Sequence, residues 1–195
     1  MTTIRVRVGR DVQAMPLEEY LRGVVPREMP ALWSHEALKA QAVVARSYAA
    51  VAMARPRHPG DGAHVCDGPC CQVWTRATHP RTDAAVRETA GLVLWYGNRV
   101  AQTFYSARCG GLTGAVDEKT GLWEPVWNPP AAPWCIVVWC PCPTIADKDG
   151  NRTKRRGHGF GLCQVGAEAY ARDGWSFEPI LEWYFTRVRI GRLAG

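Results

Sequence analysis

No apolar run in these 195 residues approaches the roughly 20 needed to cross a bilayer, so the sequence offers no membrane span. The opening MTTIRVRVGR alternates like a strand and lacks the apolar segment of a secretory signal. The chain is therefore expected either to stay inside a cell or to be exported by a signal this sequence does not include. A nucleotide-binding P-loop is missing too. GHGFG, the one glycine-rich turn, has neither the GK[ST] ending nor the spacing of a dinucleotide fingerprint. No zinc-finger, helix-turn-helix or RNP pattern accompanies the basic residues, which argues against a nucleic-acid reader. Neither an internal repeat nor a linker divides the chain, so residues 1–195 read as one domain.

What remains is an ordinary globular composition, 47% hydrophobic and 22% charged. Lys and Arg number 24 against 18 Asp and Glu, a net charge of +6, which suits either a solvated surface or an anionic polymer. Nine tryptophans exceed what a core of this size requires and supply flat faces for sugars or bases.

The periodicity predicts a mixed set of elements. TIRVRV at 3–8 alternates as a strand. PLEEYLRGVV spaces Leu17, Tyr20, Leu21 and Val24 as a short helix, expected to end near Pro26. Ser34 is an N-cap candidate for an alanine-rich helix from His35 to about Met53. A short helix over Asp83–Thr89 is followed by a hairpin in which LVLWY and VAQTFYS flank a Gly-Asn turn. CIVVW suggests a short strand in an otherwise irregular stretch, and KDGNRTKRR a basic loop. Then come a helix from about Gln164 to Gly174, the helix EPILEWYF and a closing strand RVRIG.

Three features carry chemistry. In HVCDGPCCQVW, Cys66, Cys70, Cys71 and His64 place four soft or borderline ligands within eight residues, a donor set suited to zinc. A disulfide is the competing reading, and His58 rivals His64 as fourth ligand. Cys135, Cys140 and Cys142 form a second group that would take another metal with Cys109 or Cys163. In VVPREMP the lone acid Glu28 sits between two prolines, just before the alanine-rich helix. Lys39 and Arg46, seven apart on that helix, share a face and must meet solvent, a carboxylate or a ligand. His158 stands at the tip of the glycine turn, presented by its neighbours.

Four stretches in order resemble the SpoIID/LytB family, named for stage II sporulation protein D. They are LEEYLRGVVPREMPALWSHEALKAQAVVARSYA, CDGPCCQVW, TAGLVLWYGNRVAQTFYSARCGGLT and GHGFGLCQVGAEAYARDG. The resemblance covers almost the whole chain. It implies an α+β fold of two closely joined lobes around a cleft, with the long alanine-rich helix and mixed or antiparallel strands. It also implies a peptidoglycan lytic transglycosylase that cleaves the MurNAc–GlcNAc bond and leaves 1,6-anhydro ends. Glu28 matches the family's catalytic acid, and Lys39 and Arg46 match cations of its cleft. Tyr105, Ser106, His158 and Gln164 are expected to line the groove. Zinc, as a structural ion, maps to Cys66, Cys70 and Cys71 with His64 or His58. Other relatives are amidase enhancers, which bind the wall and stimulate another hydrolase without catalysis. Either role places the chain at the cell wall, with glycan strands and other wall hydrolases as partners and no nucleic acid.

A single carboxyl suffices for a transglycosylase, because the sugar's own C6 hydroxyl replaces water as nucleophile. Acid duty at neutral pH needs a raised pKa, for which Met29, Leu32 and Trp33 would supply apolar cover. Arg27, Lys39 and Arg46 would oppose it. The sequence departs from the family between GGLT and GHGFG, where only 43 residues remain, so one lobe is shortened. Leu162-Cys163 replaces Met-Ser, and Cys109 precedes the double glycine. A second metal or a disulfide would replace the lost core.

Overall fold

The computed structural model describes residues 2–109, 113, 138, 140–142 and 156–193. The CIVVW segment and the basic KDGNRTKRR loop lie mostly outside the described residues, as does Cys135.

The fold is α+β. Strand β1 (Thr3–Val8) turns through Gly9 at φ 61° into β2 (Asp11–Pro16), its antiparallel partner, and pairs on its other edge in parallel with β3 (Val65–Cys66). The alternation in TIRVRV is what buries Ile4 and Val6. β2 was not foreseen, because only Met15 of DVQAMP is buried and its pattern carries no clean period of two. It is an edge strand recruited by the turn rather than by its own hydrophobicity.

Helix α1 (Leu17–Glu28) continues two residues beyond Pro26. The proline lies in the last turn, and Met29 N–H still donates to the Val25 carbonyl at 3.0 Å. Glu28 is therefore the final helical residue, not part of a stiffened loop. Helix α2 (His35–Ala54) has fourteen of its twenty residues buried, as its small side chains allow. It feeds two hydrophobic clusters. Leu38, Val43 and Val44 join one with α4 (Gln164–Arg172) and α5 (Phe177–Tyr184), while Ala42, Ala45 and Ala49 join another with β1 and α1.

Helix α3 (Pro80–Glu88) leads into β4 (Leu92–Tyr96), which pairs antiparallel with β5 (Arg99–Val100) and with the closing β8 (Arg189–Arg192). The predicted hairpin forms around Gly97 at φ 57°, but its second arm is short. Tyr105–Ser106, expected to belong to that arm, forms β6 and pairs in parallel with β7 (Leu162–Cys163). The glycine turn before β7 holds Gly157, Gly159 and Gly161 at φ 97°, 77° and 64°. A Cβ on Gly161 would overlap the Phe104 carbonyl, so glycine is required there for both conformation and space.

Candidate functional site

Leu17, Leu21, Val24 and Glu28 fall at i, i+4, i+7 and i+11 along α1, the spacing of a buried stripe. An acid thus occupies the position where that stripe calls for an apolar residue. Glu28 is half-buried, and its Oε1 accepts the Val73 N–H at 3.1 Å. Burial raises its pKa above the ordinary 4.5. The Tyr105 hydroxyl and the Val73 amide oppose that rise without cancelling it. The Tyr105 hydroxyl is buried beside the carboxyl yet completes no hydrogen bond of full geometry among the described residues. The negative end of the α1 dipole also disfavours a carboxylate on the last turn. Of the residues expected to give Glu28 apolar cover, Met29 is buried in the core, whereas Leu32 is 82% exposed and gives none.

The expected cations do not join this acid. Arg46 is fully buried and forks onto Glu18, with Nε to Oε1 at 2.9 Å and Nη2 to Oε2 at 2.7 Å. Its remaining donors meet the Val86 and Leu92 carbonyls, both at 3.1 Å. Arg46 is thus a structural rivet between α1, α2, α3 and β4, and no part of it is left to touch a sugar. Lys39 pairs with Glu36 at 2.8 Å and Glu88 at 3.2 Å, with its ammonium 5.8 Å from the Phe177 ring centre. Arg27, Lys39 and Arg46 are absent from the groups that set the acidity of Glu28. Of the outcomes open to the two helix cations, a carboxylate partner is the one realised.

β6 and β7 bring Ser106 alongside Cys163, next to Gln164. Gln164 is buried and donates to Gln41 Oε1 at 3.3 Å. Ser106 Oγ and Gln41 Nε2 are buried without a hydrogen-bond partner among the described residues. Such groups cost about 1–3 kcal/mol each if left unmet, so they favour a water or ligand hydroxyl. His158 is exposed. Its ring stacks on Phe160 at 5.7 Å, and its Nδ1 accepts the Phe160 N–H at 3.0 Å. Gln72, which sequence reasoning passed over, is buried between Tyr20 O–H at 3.2 Å and the Ala45 carbonyl at 3.3 Å. Its signal was the CQVW motif, quoted only for its cysteine. A separate groove of about 750 Å³ runs along α1, lined by Gln13, Glu19, Arg22, Trp74 and Arg76, and Glu28 is not among its lining residues.

The first cysteine group closes around His58. The ligand atoms of His58, Cys66, Cys70 and Cys71 all lie within 4.8 Å of one another. His58 Nε2 is 3.3 Å from Cys71 Sγ and 3.8 Å from Cys70 Sγ. His64 is not in the group: its Nδ1 accepts the Arg5 backbone N–H at 3.1 Å as β1 and the chain entering β3 pair. The Cys66 and Cys70 sulfurs are 2.9 Å apart, too far for a disulfide bond of about 2.05 Å. Three thiols and one imidazole fit a closed tetrahedral zinc site, a structural ion with no open position for water. In the second group, Cys140 and Cys142 meet both single cysteines, Cys109 and Cys163, and all four are buried.

Comparison with known proteins places the chain. The model of the stage II sporulation protein family, SpoIID, matches residues 8–96. The amidase enhancer of Bacillus subtilis (strain 168) is 41% identical over 99 residues, 50% of this chain and 13% of that protein. Stage II sporulation protein D of Bacillus amyloliquefaciens and of Bacillus subtilis (strain 168) are each 30% identical, over 144 and 142 residues. Each of those two matches covers 65% of this chain and 41% of the relative, so the chain spans well under half of these curated proteins. The motifs and these matches agree, and together they support assigning the chain to the SpoIID family, whose model covers residues 8–96.

Proposed function

We propose that this chain is a peptidoglycan-directed wall module that works as an amidase enhancer, binding glycan strands and stimulating a separate hydrolase. The observation that carries this reading is the 41% identity to a protein named for that role. The geometry is compatible with it. Arg46 and Lys39 are committed to internal carboxylates, and the groove of about 750 Å³ does not contain Glu28. The net charge of +6 suits attraction to an anionic wall, and such a role places the chain outside the cytoplasm.

The raised pKa of the half-buried Glu28 supports a second reading, a lytic transglycosylase. A protonated Glu28 would give its proton to the oxygen linking MurNAc to GlcNAc. As that C–O bond breaks, the C6 hydroxyl of MurNAc bonds to C1, and its proton returns to the Glu28 carboxylate. Val73 N–H and Tyr105 would hold the carboxyl in place. In either reading, zinc on His58, Cys66, Cys70 and Cys71 would supply a cross-link, fixing the loop that presents Val73.

Glu28→Gln separates the two. In a coupled assay with a purified wall amidase, an enhancer keeps its stimulation after the substitution. A transglycosylase loses its own release of glycan fragments.

A further inference from the structure

We propose that Cys109, Cys140, Cys142 and Cys163 form a second structural metal site, a buried tetrathiolate for a single zinc ion. Their four sulfurs lie within 4.8 Å of one another, and Cys109 Sγ is 3.6 Å from Cys142 Sγ. Four thiolates at about 2.3 Å from one tetrahedral ion stand about 3.8 Å apart, so the spacing suits one metal atom. A four-iron cluster would hold its thiolates further apart. No disulfide joins the described cysteines.

The surroundings are built for thiolate charge. Zinc with four thiolates carries a net charge of −2, which a dry site must offset with donors. Cys163 Sγ accepts two backbone amides, Cys109 N–H and Gly166 N–H, each at 3.4 Å. The Tyr184 hydroxyl lies 3.1 Å from Cys140 Sγ and donates to it when that sulfur is a thiolate. Gly166 is glycine because a Cβ there would strike both Cys140 Sγ and the Tyr184 hydroxyl. The four cysteines are at most 4% exposed and sit in the cluster with Leu162, Ala167, Tyr170 and Leu181.

The site's ligands come from separated parts of the chain. Cys109 follows β6, Cys163 ends β7 and caps α4, and Cys140 and Cys142 come from a segment anchored by the Thr113 N–H to Val138 carbonyl bond at 3.0 Å. One ion therefore ties the segment around 138–142 to the β6–β7 pair that carries Ser106 and precedes Gln164.

The test uses the whole chain, purified under reducing conditions with zinc present, and reads metal content by mass spectrometry. Two zinc ions per chain are expected. The Cys66→Ser/Cys70→Ser variant should keep one, and the Cys140→Ser/Cys142→Ser variant should also keep one. Because that last variant alters a packed core, the unaltered chain is also alkylated in its native state, before and after chelation shown to remove all metal. Cys109, Cys140, Cys142 and Cys163 should resist alkylation until the metal leaves. The proposal is overturned by protection that outlasts complete metal removal, by one zinc per chain with these four thiols reactive, or by a disulfide between any two of them. Iron found in the site overturns the choice of ion.

Discussion

The backbone amide of Val73 donates to the Glu28 carboxylate across 3.1 Å, joining the last turn of α1 to a loop that leaves the His58–Cys66–Cys70–Cys71 group at Cys71 two residues earlier. The acid and the cysteine loop are thus tied together, although 45 residues of chain separate the partners.

Glu28 should impose a pH dependence on stability. Its folded pKa is raised, so the folded state binds the proton more tightly than the unfolded state does. Its stabilising contribution is complete below the ordinary value of 4.5 and fades as pH rises through the raised folded value. Thermal melts of wild type and Glu28→Gln across pH 4 to 8 should show the variant gaining relative stability as pH rises. A difference that stays constant across this range, or a variant that loses stability relative to wild type as pH rises, contradicts this.

At the first metal group, the two histidines should behave differently. His58→Ala removes a ligand and is expected to weaken zinc binding by at least tenfold, the loss typical of even an outer-sphere partner. His64→Ala leaves the four donors intact, so zinc affinity should hold within a few-fold. Competition titration with a chromogenic chelator measures both, and equal effects would exclude the assignment.

Much of this was legible before any coordinates. Alternation located β1, alanine content located α2, and the glycines before Gln164 and at Gly174 bounded α4, because those signals are local. Pro26 misled, since its missing N–H suggested a stop where the last turn of α1 tolerates it. The fate of Arg46 was not readable. Spacing put it on a face with Lys39, but its partner Glu18 lies 28 residues away on another helix. The choice of His58 over His64 was equally hidden, because strand pairing, a tertiary event, takes up the nearer histidine. Ser106 and Cys163 become neighbours only through the parallel β6–β7 pairing.

Arg46→Ala should act on stability. The substitution takes the arginine donors from the Val86 and Leu92 carbonyls and from the Glu18 carboxylate, which keeps the Gly91 N–H at 3.1 Å. The expected cost is about 3 kcal/mol, the low end for a broken buried pair, because the Glu18 side chain keeps 37% of its exposure to water. Urea denaturation measures it. Wall binding of the fraction that remains folded should be unchanged, whereas a variant with normal stability and lost binding would restore a ligand role.

Gly161→Ala tests the turn that carries His158. A left-handed alanine costs about 1–2 kcal/mol before any clash, and overlap with the Phe104 carbonyl adds to that. A loss of at least this size in chemical denaturation is expected, and a neutral outcome would mean that the turn relaxes away from Phe104.

The most direct measurement incubates purified sacculi with a wall amidase and either the wild-type chain or Glu28→Gln, following peptide release together with anhydromuramic ends by mass spectrometry. The account predicts that both proteins raise peptide release and that neither creates anhydro ends. Anhydro ends formed by wild type and abolished by Glu28→Gln would contradict it and make the chain a transglycosylase.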